Sequence, residues 1–373
     1  MSSYPLSGVR VVEFAGIGPG PFCGQMLADM GADVVVVDRP RRAEVSLEHA
    51  VERRGKRSVV LDLKSKEGRE AALRLAARSE LLIEGLRPGA MERMGLGPEA
   101  CQARNPALVY GRMTGWGQEG PYAGMAGHDL NYLAITGALA AMGAPGRPPQ
   151  PPLNLLGDFG GGGMMLAMGL LAGLVEARAT GAGREVDAAI CDGVSAMMGM
   201  IHSWHGAGRW EAARGVNVLD GSSPYYRCYE TSDGLWMSVA AIEPRFHRDL
   251  LEVLGIDPQE HGAQDDRALH GAQTARLAAT FAQRTQAVWT RLFAGRDACV
   301  APLVRLDRVM ENDHNAARGA VLAQDGLAQP ARAPRFSGSD PADLAPIPLD
   351  GADTDAVLGE LGFSADEIEA MRG

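Results

Sequence analysis

The first 112 residues alternate between short apolar runs and segments with helical periodicity, and this alternation constrains the fold more than any other feature. The apolar runs cover residues 9–14, 34–37, 58–63, 81–84 and 107–112. Short buried strands separated by amphipathic helices are typical of a parallel sheet that helices cover on both faces. We therefore predict an α/β fold whose large domain contains a Rossmann-like parallel sheet.

The pattern changes in the second half of the chain, where two apolar runs flank the turn Ser232-Asp233-Gly234. The runs, residues 225–229 and 235–241, predict a β-hairpin, and helices and a further strand at residues 298–303 complete a smaller α+β domain. Residues 324–348 are rich in alanine, proline and glycine and predict an irregular segment. The predicted large domain comprises residues 1–200 and 325–373, the small domain residues 222–320, and linkers lie at about residues 200–222 and 320–348.

Charge and composition exclude several classes of function. The net charge of −10 argues against a nucleic-acid partner, since phosphate binding needs a positive surface. The five cysteines lack the spacing of a structural zinc site and indicate a reducing compartment. The longest apolar run, residues 164–175, is too short to span a bilayer, and the first residues have no signal pattern. We expect a cytoplasmic protein with no bound metal and no membrane span.

Residues 9–38 have the outline of a dinucleotide-binding fingerprint: a strand, a glycine-rich loop, a helix and a second strand that ends in Asp38. That fingerprint needs backbone N–H groups that point at a pyrophosphate, and Pro19 and Pro21 remove two of them. The glycine spacing also differs from GxGxxG. The segment therefore argues against a nicotinamide dinucleotide as cofactor.

Basic residues crowd the segment that follows the second strand. They are Arg39, Arg41, Arg42, Arg53, Arg54, Lys56 and Arg57. Two interpretations are open: a solvated loop of mixed charge, or a site for a phosphate-rich ligand, whose oxygens suit the guanidinium fork. Ligands of parallel sheets bind at the carboxyl ends of the strands, where Asp38, Arg39, Asp62 and Arg87 fall.

Residues 126–165 contain a histidine and a carboxylate, His128 and Asp158, that are separated by 30 positions. The four glycines that follow, residues 160–163, predict a tight loop that enters a buried helix and allows a ligand to approach the backbone. Asp158 then lies near a helix N-terminus. From the residues alone, His128 also fits a structural or surface role, and Asp158 also fits an N-cap.

Several motifs resemble one known family over nearly the whole chain. They include Gly18-Pro19-Gly20-Pro21-Phe22-Cys23, Gly55-Lys56-Arg57-Ser58, Arg87-Pro88-Gly89 and Gly115-Trp116-Gly117-Gln118-Glu119-Gly120-Pro121. By these motifs the chain resembles the family III CoA-transferase (CaiB/BaiF-like) superfamily. Within it, Gly127-His128-Asp129-Leu130-Asn131-Tyr132 resembles the racemase branch, because the transferases use an aspartate at the position of Asp158 as nucleophile and lack that histidine.

The resemblance implies an interlocked homodimer and a set of site residues. It implies His128 and Asp158 as catalytic residues, with Glu243 of the partner subunit paired with His128. The residues implied for coenzyme A are Arg39, Leu61, Asp62, Leu63 and Lys64 at the nucleotide, and Gly127, Asp129, Leu130, Asn131 and Tyr132 toward the thioester. We add Arg87 and Arg93 for the phosphates on the basis of charge; Arg93 also fits an exposed helix residue.

The expected reaction is interconversion of the (R) and (S) forms of a 2-methylacyl-CoA. One base takes the α-proton from one face, and the conjugate acid of the other returns a proton to the opposite face. The backbone N–H groups of residues 160–163 are candidates for holding the enolate oxygen. The alternative is a CoA-transferase in which Asp158 is the nucleophile. Coenzyme A enters only as part of the substrate, and neither reaction needs another cofactor.

Overall fold

The computed structural model describes residues 4–40 and 50–372. The chain divides into two compact units. The large unit comprises residues 1–137, 152–198 and 315–373, and the small unit comprises residues 138–151 and 199–314. The predicted boundaries place residues 138–151 in the large domain, but these residues group with the small unit.

The large unit is built on a six-stranded parallel sheet, as the sequence predicts. The strands are β1 (Arg10–Phe14), β2 (Asp33–Asp38), β3 (Arg57–Val60), β4 (Leu81–Glu84), β5 (Val109–Thr114) and β6 (Glu185–Ala189). Their order is β3-β2-β1-β4-β5-β6, and every neighbouring pair is parallel. The order reverses between β1 and β4, the position at which such sheets bind their ligands.

Helices connect the strands of this sheet. They are α1 (Pro19–Asp29), α2 (Lys66–Ala77), α3 (Ala90–Arg93), α4 (Pro98–Arg104), α5 (Asp129–Ala134), a π-helix (Leu155–Met164), α6 (Met165–Thr180) and α7 (Ile190–Met197). A short 3₁₀ turn lies at Val51–Arg53, and the small unit contains three more, at Leu139–Ala141, Val218–Asp220 and Leu306–Glu311. The alternating valines of β1 and β2 that face α2, such as Val12 and Val35, pack with Leu75 into one buried cluster.

The predicted tight loop at the four glycines is wrong. Residues 155–164 form a π-helix that runs directly into α6, and the glycines are its sixth to ninth residues. Their role is close packing between helices: a Cβ on Gly161 would lie 2.6 Å from a Val194 methyl, and one on Gly163 would lie 2.7 Å from the Pro19 carbonyl. The glycines therefore allow the π-helix to pack against α1 and α7.

The continuous helix Leu155–Thr180 has 26 residues, so it extends well beyond the apolar run at residues 164–175 that the sequence shows. By length and hydropathy this helix could cross a membrane, although 44% of its most apolar window is buried inside the protein. Gly169 and Gly173 lie against Val186 and Val109, where a Cβ would come within 2.7 and 2.6 Å. Packing of this kind on β5 and β6 is typical of a core helix.

Four of the seven basic residues after β2 are held in ion pairs inside the large unit. Arg54 is fully buried and donates to both Asp29 carboxylate oxygens, at 3.2 and 2.6 Å. The Lys56 ammonium, also buried, lies 2.6 Å from Glu13. Arg53 pairs with Asp38 at 2.7 Å, and Arg57 pairs with Asp33 at 2.7 Å.

These four cations fit neither interpretation of the basic segment. Arg54 and Lys56 are not solvated, and all four have carboxylate partners, so none of them is free for a ligand phosphate. Arg41 and Arg42 lie outside the described residues. Of the original cluster, Arg39 is exposed directly after β2 and stays a candidate.

The small unit contains a three-stranded antiparallel sheet, and its first two strands are the predicted hairpin. Its strands are β7 (Tyr226–Glu230), β8 (Trp236–Ala240) and β9 (Val300–Pro302), and its helices are α8 (Gly199–Gly206), α9 (Pro244–Leu254), α10 (Pro258–His261), α11 (His270–Phe281) and α12 (Gln286–Phe293). A separate core centred on Phe281, Trp289 and Leu250 lies under this sheet.

The chain then returns to the large unit through α13 (Asp313–Arg318). The segment predicted as irregular begins with a hairpin, β10 (Val321–Gln324) and β11 (Leu327–Pro330), which the proline- and glycine-rich composition obscured. Arg54 donates to the Pro330 carbonyl at 2.7 Å and fixes this hairpin beside α1. Helices α14 (Thr354–Glu360) and α15 (Ala365–Arg372) complete the unit, and Ser364 and Glu367 cap each other at the start of α15.

Candidate active site

The candidate site lies where the loop after β1 meets the start of the π-helix. Gly18, in that loop, has φ of +70°, and a Cβ on it would lie 3.1 Å from Oδ2 of Asp158. The loop follows β1, beside the reversal of strand order. Asp158 therefore lies at the carboxyl end of the sheet, where ligands of this architecture bind.

His128 is exposed and forms the N-cap of α5. Its backbone N–H donates to the Asn131 side chain at 3.1 Å, and its carbonyl accepts the Asn131 N–H at 2.8 Å. These bonds fix the backbone of His128 and leave its imidazole on the surface of the large unit, accessible to a substrate.

Asp158, the fourth residue of the π-helix, is half-buried beside the Asn154 side chain. Burial, the largest effect, raises the pKa of its carboxyl to about 6, and the neighbouring Asp129 carboxylate acts in the same direction. The His128 imidazole and a hydrogen bond from Asn154 oppose this rise in pKa. A carboxyl with a pKa near 6 can both hold and release a proton close to neutral pH.

Asp129, the first residue of α5, connects the two candidate bases. Its Oδ1 accepts the backbone N–H of Asp158 at 2.7 Å, and its carboxylate also accepts the Gly157 N–H. Burial raises the pKa of Asp129, and these two N–H groups lower it. The helix that begins after His128 is thereby hydrogen-bonded to the helix that carries Asp158.

An aromatic cluster supports the segment that contains His128. The Tyr132 hydroxyl donates to the Gly127 carbonyl, and the Tyr132 ring packs edge-on against Trp116 with centroids 4.7 Å apart. Gly115 and Gly127 make room for this ring, since a Cβ on either would come within 2.0 or 2.7 Å of it. Burial, together with the charge of Asp158, raises the pKa of Tyr132.

The structure brings one group of the predicted site residues together. His128, Asp129, Asn131 and Tyr132 surround the start of α5, and their hydrogen bonds and charges reach Asp158. Gly127 is held by Tyr132, and the neighbouring Leu130 is exposed.

The residues predicted for the nucleotide lie along the carboxyl edge of the sheet. Arg39 follows β2, Asp62 and Lys64 follow β3, and Arg87 follows β4; all four are exposed. The side chains of Leu61 and Leu63 pack in or against the hydrophobic core, so these residues can offer a ligand little beyond their backbone. Arg93 is exposed in α3, and its guanidinium lies close to Gly89.

Glu243 belongs to the small unit, where it is exposed at the N-cap of α9. Its backbone carbonyl accepts the N–H of His247 at 3.0 Å. Its carboxylate also raises the pKa of the nearby Cys299, an effect second to burial of that thiol.

Two functional neighbours of Asp158 were missed from the sequence. Asn154 lies one turn earlier in the chain and donates to the Asp158 carboxyl. Gly18 lies in the loop that was interpreted only as part of a dinucleotide fingerprint. A sequence signal existed for Asn154, because an amide four residues before a carboxylate on a helix faces it. In the described part of the chain, no group of three or more His, Cys, Asp and Glu residues could hold a metal.

Comparison with known proteins identifies the family. The family model described as "CoA-transferase family III" matches residues 6–354. The human protein named α-methylacyl-CoA racemase is 42% identical over 367 residues, which cover 97% of this chain and 95% of that protein. Succinyl-CoA–D-citramalate CoA-transferase of Chloroflexus aurantiacus is 35% identical over 72% of this chain and 69% of its own.

A solved structure extends the likeness to the fold. The crystal structure of a CAIB/BAIF family protein from Brucella suis superposes with a TM-score of 0.81 at 28% identity, over 96% of this chain and 100% of that one. Sequence and fold therefore agree over nearly the whole length of the molecule.

Proposed function

The chain belongs to CoA-transferase family III, and from this premise we propose that it interconverts the (R) and (S) forms of 2-methylacyl-CoA thioesters. The observation that carries the proposal is that an exposed imidazole lies close enough to a half-buried carboxyl for its charge to act on that carboxyl. His128 supplies an exposed imidazole, and Asp158 supplies a carboxyl whose pKa is raised to about 6. The identity to a protein named as a racemase supports the same reaction.

His128 and Asp158 act on opposite faces of the α-carbon. In one direction, neutral His128 removes the α-proton and protonated Asp158 delivers its proton to the other face, which inverts the configuration. The reverse direction starts with ionised Asp158 and protonated His128. One proton leaves the substrate and one is added, so neither a redox cofactor nor an acceptor acid is needed.

The intermediate is an enolate, and its oxygen must be stabilised as negative charge develops. The sequence suggests the N–H groups of residues 160–163 for this task. In a π-helix, the sixth and later N–H groups donate to carbonyls five residues earlier, and these glycines occupy the sixth to ninth positions. Their N–H groups therefore belong to the helix, and the donors to the enolate oxygen lie elsewhere.

We propose that the active enzyme is a homodimer, interlocked as its family resemblance implies, in which Glu243 of the partner subunit pairs with His128. A carboxylate beside an imidazole fixes its tautomer and stabilises the imidazolium that forms when it takes the proton. One face of the continuous helix Leu155–Thr180 supports association, because Met164, Met168 and Val175 are 50%, 62% and 72% exposed along one side of it.

Coenzyme A is proposed to lie along the carboxyl edge of the sheet. Arg39, Lys64 and Arg87 are exposed there, after β2, β3 and β4, and can meet its phosphates. Binding energy from this remote part of the substrate lowers the barrier when it helps to orient the α-carbon between His128 and Asp158.

A CoA-transferase is the second candidate, and the 35% identity to a protein of that name favours it. In that reaction the Asp158 carboxylate attacks the thioester, forms an acyl-aspartyl anhydride and releases CoA thiolate. The two reactions share Asp158 and differ in their need for an acceptor acid.

An enantiomer-resolved assay separates the candidates. Purified enzyme receives (S)-2-methyldecanoyl-CoA without any carboxylic acid, and chiral chromatography follows the (R) form. We expect the mixture to approach equal amounts of both forms, with no loss of activity in hydroxylamine. Retained configuration, together with acyl transfer to an added acid and inactivation by hydroxylamine, would replace the racemase proposal with the transferase.

A further inference from the structure

The Asp129 carboxylate accepts hydrogen bonds inside the large unit, at the junction of α5 and the π-helix. It accepts the backbone N–H of Asp158 at 2.7 Å and the N–H of Gly157. Both donors belong to the first turn of the π-helix, where N–H groups have no helical partner. Asp129 therefore caps the helix that carries Asp158, while its own helix begins directly after His128.

Only glycine leaves room for this carboxylate at position 157. A Cβ on Gly157 would lie 2.1 Å from Oδ1 of Asp129, far inside van der Waals contact. Gly157 is buried, so neither group can move away without disturbing its neighbours. The close approach holds the start of the π-helix at a fixed distance from α5.

The same carboxylate acts on Asp158 through its charge. After burial, the proximity of Asp129 is the next cause of the raised pKa of Asp158. A negative charge nearby favours the neutral, protonated carboxyl. Asp158 must be protonated in one direction of a two-base racemisation, so this charge maintains the form that donates the proton.

We propose that Asp129 is a positioning residue for the racemase reaction: its carboxylate fixes the backbone of Asp158 relative to His128 and keeps a negative charge beside the Asp158 carboxyl. This rests on the proposed function. It gives Asp129 a task other than the contact with coenzyme A that the family resemblance implied.

Two variants separate the hydrogen bonds from the charge. Asp129→Asn keeps a side-chain oxygen that accepts both N–H groups and removes the charge, whereas Asp129→Ala removes both. The readout is the pH profile of kcat/KM for racemisation, whose limbs report the ionisation of the pair in the free enzyme. Asp187→Asn is the control, since Asp187 is a carboxylate of the large unit that likewise accepts a backbone N–H, that of Gln118 at 3.0 Å.

In Asp129→Asn we expect the acid limb to move to lower pH and KM to stay close to that of the parent enzyme. In Asp129→Ala we expect kcat to fall about 100-fold, as misplacement of a reacting group does. Asp187→Asn should keep the parent profile. An unchanged profile in Asp129→Asn overturns the proposal, as does a higher KM with an unchanged kcat and profile, which would mark Asp129 as a substrate contact.

A further variant serves if Asp129→Asn does not fold. Gly157→Ala keeps every titratable group but places a methyl where the Asp129 carboxylate lies, and we expect kcat to fall at least tenfold. Parent activity in Gly157→Ala overturns the proposal. If the parent enzyme itself does not racemise the substrate, the proposed function fails before any variant is compared.

Discussion

At Asp158, burial and a neighbouring carboxylate act in the same direction and raise its pKa to about 6. An aspartate in water has a pKa near 4 and would rarely carry a proton at neutral pH. The raised value brings the carboxyl close to the range in which an imidazole titrates. The two groups can therefore exchange roles as acid and base, as inversion at carbon requires.

Replacement of either base should abolish inversion but spare exchange on the other face. For His128→Gln and Asp158→Asn we expect racemisation to fall about 1,000-fold, within the range for loss of a general acid or base. In heavy water, Asp158→Asn should still exchange the α-proton of the one stereoisomer that presents it to His128. Chiral chromatography and NMR measure the two rates, and KM for the thioester is the control. Full racemisation by either variant contradicts the two-base scheme.

At the scale of residues, the sequence offers candidates where a side chain carries a chemical signature. His128 and Asp158 stand out because one is an imidazole and the other is an acid that directly precedes a glycine run. The partners of Asp158 could not be predicted from spacing, because Asp129 and Gly18 reach it only through the fold. The burial of Arg54 and Lys56 was missed for the same reason, since Asp29 and Glu13 lie far away in the chain.

At the scale of elements, the small unit contains a pair of buried histidines. His247 of α9 and His261 of α10 lie with ring centroids 5.3 Å apart, and three of their ring nitrogens have no hydrogen-bond partner. Burial, followed by the charges of His247 and Arg276, lowers the pKa of His261 to about 4. Burial also lowers the pKa of His247, against the charge of Asp265.

This pair should make the small unit sensitive to acid. A histidine whose pKa is lowered on folding binds its proton more readily when unfolded, so stability falls as pH drops from about 6.5 toward 4. His261 alone then accounts for up to about 3 kcal/mol of lost stability. Protection factors for amide hydrogen exchange in α9 and α11, which correct for the intrinsic pH dependence of exchange, should fall between pH 7 and 5.

Replacement of His261 tests this origin of the sensitivity. In His261→Leu, protection of α9 and α11 should vary less with pH than in the parent protein. His202→Gln, a change at an exposed histidine of the same unit, should leave the parent behaviour unchanged. Equal pH dependence in His261→Leu and the parent would contradict the assignment.

Most strands were predicted from the sequence because β-branched apolar runs have a clear boundary and length. The helical structure of residues 160–163 could not be predicted, because glycine disfavours helices. The residues that these glycines pack against, Val194 and Pro19, come from other elements. The hairpin of β10 and β11 was missed because its composition is that of a linker.

At the scale of the whole molecule, the alternation of strands and helices was enough to predict the parallel sheet, because local periodicity decides it. The grouping of residues 138–151 with the small unit was not predictable, since it depends on contacts such as the hydrogen bond from Arg214 to the Ala140 carbonyl at 3.1 Å. Composition cannot reveal such pairs.

The exposed face of α6 carries a prediction about assembly. We expect the parent protein to be a dimer at micromolar concentration and Met168→Lys to weaken that dimer, because a charge must then be desolvated in an apolar contact. Sedimentation velocity measures both. Leu349→Lys, a change at an exposed apolar residue outside this face, should leave the dimer intact. A monomeric parent protein contradicts the homodimer, and a fully dimeric Met168→Lys removes α6 from the interface.

The most direct test of the central claim is the fate of the α-proton in heavy water. The parent enzyme is mixed with (S)-2-methyldecanoyl-CoA in D₂O, without any acceptor acid, and the first turnovers are followed by NMR and chiral mass spectrometry. In the two-base scheme, a proton leaves one face of the α-carbon and a deuteron from the solvent is added to the other face. We therefore expect each newly formed (R) molecule to carry one α-deuterium. An α-carbon that stays fully protonated while the enzyme binds the thioester would contradict the account.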